Sequence, residues 1–198
     1  CLVLVFIMFY GGFGTSWEMA KPVAIPSILL STLGVVITAG LTGIFCFKVF
    51  DTTLLEGLLI GSIVASTDAA SVFAILRSQK LNLKGSIASI LEVESGSNDP
   101  LAYMLTVIIL GLIGNKGYGT IIPMLLNQVI VAVIVSVLLS KLTIYLLRHI
   151  HFEIDGFYPI FIMGIAVLSY ALSEHVGGNG YLAVYIAGLM IGNSKIYS

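Results

Sequence analysis

The chain has 198 residues, of which 58% are apolar and only 10% charged, with a formal net charge of -1 and a mean hydropathy of +1.08. A soluble domain carries about a quarter charged residues, so the solvent for most of this surface is lipid rather than water. The near-zero charge excludes the basic field that a nucleic-acid partner needs, and the cysteines Cys1 and Cys46 form no spaced set for a disulfide framework or a soft-metal site.

Crossing the hydrocarbon core takes roughly 20 apolar residues in a helix. On that measure the apolar runs predict seven spans, at about 1–13, 22–46, 54–77, 86–113, 120–147, 157–173 and 180–193. The expected fold is all-α, a polytopic transmembrane helix bundle, with no soluble domain in 1–198. The chain opens inside the apolar run CLVLVFIMFY without an initiator Met or a basic leader, and it stops soon after the run that ends at Asn193. Truncation at both ends is expected. The last span is entered through Gly177, Gly178, Asn179 and Gly180, a flexible lead-in.

Taken alternately by side, Lys21, Arg77, Lys80, Lys84, Lys141, Arg148 and Lys195 fall on one face of the membrane, and Lys48 and Lys116 on the other. The positive-inside rule makes the first face cytoplasmic, so the first and third spans run inward. Trp17, Tyr118, Tyr145, Phe157 and Tyr158 stand near predicted span ends, where interfacial aromatics belong. Gly34, Gly40, Gly43, Gly57 and Gly61 suit close helix packing, Gly57 and Gly61 as a GxxxG pair. Lys80 and Lys84 are expected to set topology, and His149 and His151 to lie in a solvated loop.

Charge inside an apolar span is costly and marks ion paths or proton relays. The third span carries Asp68 in IVASTDAASVFAIL; the fourth, ASILEVESGSNDPLAYML, carries Glu92, Glu94 and Asp99, with Asp99 the deepest. At a rise of about 1.5 Å per residue, Asp68 and Asp99 both fall near mid-membrane. Ser66, Thr67 and Asp68 are poor helix-interior residues and good N-caps, so the third span is expected to break at Thr67 and restart as a half-helix at Ala69. A break frees backbone carbonyls of the kind that discontinuous transporter helices offer to cations. Pro100 has no N–H, so the Gly96 carbonyl loses its helical partner as well.

Helical spacing puts Ser95, Asn98 and Asp99 on one face, with Glu94 one turn below Asn98. The donors are all hard oxygens, which favours an alkali cation over a soft metal. A buried carboxylate that holds a cation or a proton, but not both at once, is sufficient for exchange.

The segments STDAASVFAIL (66–76) and LEVESGSNDP (91–100), followed by an apolar helix, closely resemble the sodium/hydrogen exchanger type of monovalent cation/proton antiporter, especially its bacterial potassium-or-sodium/proton branch. FYGGFGTSW (9–17) and GNGYLAVYIAGLMIGN (178–193) extend the likeness along the chain. The resemblance implies the N-terminal part of a transport domain with an inverted-repeat antiporter fold and a broken crossing helix, set in a bacterial inner membrane as a homodimer. It implies that Asp99 binds cation or proton and that Asp68 and Ser95 help coordinate the ion. Thr67 would contribute from the unwound segment, Asn98 would hold the geometry, and Glu94 would pair with a basic residue on a later helix. Asn98 before Asp99 implies electroneutral exchange of Na+ or K+ for H+, with no cofactor. The chain departs from many relatives in having Tyr10, rather than an acidic residue, before Gly11 and Gly12. The family's second crossing helix is expected beyond this chain, so these residues alone are not expected to transport.

Two rivals fit less well. An intramembrane aspartyl protease also uses two Asp on neighbouring helices, but within a Gly-x-Gly-Asp motif, whereas these Asp follow Thr67 and Asn98. A cation channel would place similar oxygens along a pore and conduct without proton coupling.

Overall fold

The computed structural model describes residues 2–67, 75, 86–114, 118–149 and 157–194. Seven helices of more than ten residues lie among them: α1 (Leu2–Gly14), α2 (Ala24–Val49), α3 (Leu54–Val64), α4 (Ile87–Ile113), α5 (Tyr118–His149), α6 (Phe157–His175) and α7 (Gly180–Gly192). A short helix, Trp17–Ala20, and a 3-10 turn, Lys21–Val23, lead into α2. Each helix answers to one predicted span, and the described residues contain no strand. The third differs most: α3 stops at Val64 where the sequence predicts a span to 77, and the residues from Asp68 to 74 and 76 to 85 lie outside the described set.

The chain divides into two compact units, Cys1–Trp17 with Leu125–Ser198, and Glu18–Met124. Four described helices are long and apolar enough to cross a membrane: Lys21–Val49, Ile87–Ile113, Gly119–His149 and Phe157–His175. Their outward residues, such as Leu29, Leu33, Ile37, Leu41, Ile130 and Leu138, are exposed and apolar, which suits lipid. Trp17, Tyr145 and Phe157 are also exposed, near helix ends as predicted.

In the unit Glu18–Met124, α2 buries one stripe of its surface: Ser27, Ser31, Val35, Ala39, Gly43 and Cys46. Pro22 and Pro26 fall in the opening turns, where a missing N–H removes no helical bond. A capping box starts α3: the Thr53 hydroxyl accepts from the Glu56 amide at 3.3 Å, and the Glu56 carboxylate accepts from the Thr53 amide at 2.8 Å. The α2 and α3 backbones meet through glycine, since a Cβ on Gly61 would lie 2.2 Å from the Ala39 carbonyl oxygen and one on Gly57 2.4 Å from that of Gly43. Gly34 and Gly40, expected to serve the same packing, face open space instead. Helix α4 closes the unit, its Ala102 packing with Val35, Ala39 and Ala65.

The other unit is built on α1 and α7, which approach just as closely. A Cβ on Gly188 would lie 2.4 Å from the Phe9 carbonyl oxygen, and one on Gly12 2.2 Å from that of Tyr185. Asn193 locks the far end, accepting from the Trp17 amide at 2.7 Å and donating to the Thr15 carbonyl at 2.8 Å. The turn into α7 needs glycine at Gly177, whose φ is +84°, and Asn179 caps the helix by accepting from the Leu182 amide at 3.0 Å.

Gly188→Ala is expected to destabilise the detergent-solubilised full-length protein by roughly 1–3 kcal/mol, as overpacked interiors do. Gly164→Ala, where a Cβ meets nothing within 4 Å, is the matched control. Indistinguishable thermal melts for the two variants would show that α1 and α7 do not meet along this seam.

Candidate functional site

Helix α3 has 11 residues, a rise of about 16 Å, which is roughly half the hydrocarbon thickness. Its last residue is Val64, Ala65 is the C-cap, and residues 65–67 carry no helical structure. The break expected at Thr67 therefore begins earlier. Its physical cause lies across the gap on α4, which takes up the groups that a continuing helix would have used.

The Thr67 carbonyl accepts from Ser95 Oγ at 3.1 Å and from Asn98 Nδ2 at 3.1 Å. The Thr67 hydroxyl donates to Glu94 Oε1 at 3.2 Å and itself accepts from Asn98 Nδ2. Asn98 Nδ2 also lies 3.2 Å from Glu94 Oε1. One residue back, Ser66 Oγ donates to Asp99 Oδ1. Glu94, Ser95, Asn98 and Asp99 thus share the face of α4 that the helical spacing predicts, and that face meets the break.

Asn98 is fully buried. Its amide orientation follows from its neighbours: Nδ2 faces a carbonyl, a hydroxyl and a carboxylate, all able to accept, so a flipped amide would set oxygen against oxygen. That leaves Asn98 Oδ1 as a buried acceptor with no hydrogen-bond partner among the described residues. Such an atom costs about 1–3 kcal/mol unless something donates to it or it ligates a cation. Asp99, Ser95 and Glu94 are half-buried, Thr67 is exposed and Pro100 is buried within a helix that stays continuous past it. Asp68 and Ala69, the remaining predicted parts of the site, lie outside the described residues.

The Thr67 carbonyl, expected to be offered to an ion, holds two protein donors here, one for each lone pair. Ser66 is a contributor that spacing arguments miss, because they treat it only as a helix breaker; its place next to Thr67 in a polar triplet is the available signal.

The family model described as "Sodium/hydrogen exchanger, transmembrane" matches residues 1–197. The chain is 36% identical over 197 residues to the K(+)/H(+) antiporter NhaP of Alkalimonas amylolytica, covering 98% of this chain and 34% of that protein. It is 36% identical over 193 residues to the K(+)/H(+) antiporter NhaP2 of Shewanella oneidensis, covering 96% of this chain and 33% of that one. Among solved structures, the sodium proton antiporter MjNhaP1 from Methanocaldococcus jannaschii at pH 8 superposes with a TM-score of 0.78 at 28% identity, over 96% of this chain and 47% of that chain. The chain therefore spans about a third of the length of the curated relatives it matches.

Proposed function

The chain belongs to the sodium/hydrogen exchanger family, and from that premise we propose that the full-length protein exchanges a monovalent alkali cation, Na+ or K+, for H+ at Asp99. The observation that carries this reading is the cluster of hard oxygens that α4 presents to the break, in which the Asp99 carboxylate accepts from Ser66 and the buried Asn98 Oδ1 has no hydrogen-bond partner among the described residues. Hard oxygens of this kind suit an alkali cation. The solved relative of 28% identity is named a sodium proton antiporter and the bacterial relatives K(+)/H(+) antiporters, which supports exchange and leaves both ions as candidates.

In one state Asp99 is ionised and faces the cation, with Asn98 Oδ1 and the Ser95 hydroxyl as neutral co-ligands and Asp68 as a second carboxylate. In the other, a proton on Asp99 cancels the charge that held the cation, and the ion leaves. Each occupant excludes the other, so alternating access would couple the two flows. Because Asn98 is neutral, swapping one cation for one proton at Asp99 moves no net charge, and the exchange is electroneutral. Glu94 and Pro100 support the site rather than titrate in it: Glu94 accepts from Thr67 and Asn98, and Pro100 withholds a helical N–H from the Gly96 carbonyl. A homodimeric assembly belongs to the same proposal, on the strength of the family resemblance.

Proteoliposomes of the full-length protein, assayed for pH change on addition of Na+, K+ or Li+, test it. Asp99→Asn should abolish exchange with normal membrane insertion, and wild-type rates in that variant would end the proposal. Ser95→Ala and Thr67→Ala should raise the apparent cation KM by roughly tenfold, the scale of one lost charge-assisted contact, with a smaller effect on the maximal rate. An unchanged KM in both would remove Ser95 from the ligand set and Thr67 from its support. Clamping the membrane potential at different values should leave the wild-type rate unaltered, whereas a potential-dependent rate would contradict one-for-one exchange.

A further inference from the structure

Before the break, and on α4 to the side of Asp99 away from Glu94, a second polar contact joins α3 to α4. Ser62 is fully buried, and its Oγ lies 3.0 Å from Thr106 Oγ1. Ser62 Oγ also lies 2.8 Å from the Leu59 carbonyl, and Thr106 Oγ1 2.9 Å from the Ala102 carbonyl. Two hydroxyl hydrogens can be shared over this set in three ways: Ser62 to Thr106 to Ala102, Thr106 to Ser62 to Leu59, or each hydroxyl to the carbonyl of its own helix. The first two place a hydrogen bond between the helices.

Position gives that bond its consequence. Ser62 precedes Ser66 by one turn's worth of residues, and Thr106 follows Asp99 by two turns on the same face of α4, about 10.5 Å along the axis. Between the two contacts along the helices, Ala65 and Ala102 pack with Val35 and Ala39. On its other side α3 touches α2 through Gly57 and Gly61, close contacts without side-chain direction that fix distance better than register. Residues 65–67, which follow α3, carry no helical structure.

We propose that Ser62 and Thr106 act as a positioning clasp for the exchange site, fixing the register of the end of α3 on α4 so that Ser66 reaches Asp99 and the Thr67 carbonyl reaches Ser95 and Asn98. The clasp touches neither ion nor proton and rests on the reading of Asp99 as the exchanging group. Thr106→Val removes one hydroxyl at nearly constant shape, and Ser62→Ala removes the other.

The test is cation-driven exchange by the full-length protein in proteoliposomes, with folded yield followed by size exclusion in detergent. Thr106→Val and Ser62→Ala should each raise the apparent cation KM about three- to tenfold with the maximal rate kept within about twofold, while Thr106→Ser restores the wild-type KM. In a Ser66→Ala background, Thr106→Val should add less than it does alone, because part of its effect runs through Ser66. Full multiplication of the two effects, or a wild-type KM in Ser62→Ala, overturns the clasp. If Thr106→Val gives no folded protein, Ser62→Ala and Thr106→Ser decide the matter by the same criteria. The control Asp99→Asn separates the two failures: exchange that survives it defeats the functional reading, whereas a dead Asp99→Asn with unmoved KM in the clasp variants defeats the clasp alone.

Discussion

A backbone carbonyl that leaves its helix inside a bilayer has no water to turn to, and the site depends on how the Thr67 carbonyl solves that problem. Left unpaired in hydrocarbon, such a group costs several kcal/mol. Here Ser95 and Asn98 of α4 supply donors to it from another helix. Each donor is thereby fixed. With its amide nitrogen committed to Thr67 and Glu94, Asn98 must turn its oxygen the other way, which leaves that buried oxygen without a hydrogen-bond partner among the described residues. An interruption in one helix has become a set of oxygens held by another.

Much of this was legible in the sequence, for identifiable reasons. Runs of about 20 apolar residues are hard to disguise, so each helix has its predicted counterpart, and spacing along a single helix placed Glu94, Ser95, Asn98 and Asp99 correctly with respect to one another. The polar triplet Ser66, Thr67 and Asp68 announced a break, although it begins about two residues before the predicted point. What periodicity cannot carry is the partner on another helix. The bond from Ser66 to Asp99 joins positions 33 apart and that between Ser62 and Thr106 positions 44 apart, and neither leaves a trace in local pattern. The glycines show the same limit: Gly43, Gly57 and Gly61 lie in a seam while Gly34 and Gly40 do not, and all five look alike until the neighbouring helix is known.

The resemblance to antiporters first rested on four stretches of sequence, and the structure gives each pair a physical reason to occur together. Residues 66–67 and 91–100 meet across the break. Residues 9–17 and 178–193 form the α1–α7 seam and its asparagine lock. Gly12, Gly188 and Gly192 in the second pair are demanded by carbonyls little more than 2 Å from where a Cβ would stand, and polar residues in the first by the groups beyond the end of α3. The rest of each helix faces softer requirements, chiefly apolarity and length.

The lock between Trp17 and Asn193 spans 176 positions, so the two halves of that seam are synthesised far apart in time. The residues of the unit Glu18–Met124 are consecutive and can associate as they emerge. Helix α1 cannot complete its packing until α7 has followed it into the bilayer, and until then its glycine face waits against lipid or a temporary escort. Biogenesis of the two units is therefore asymmetric, one closing progressively and the other only once its most distant piece has arrived.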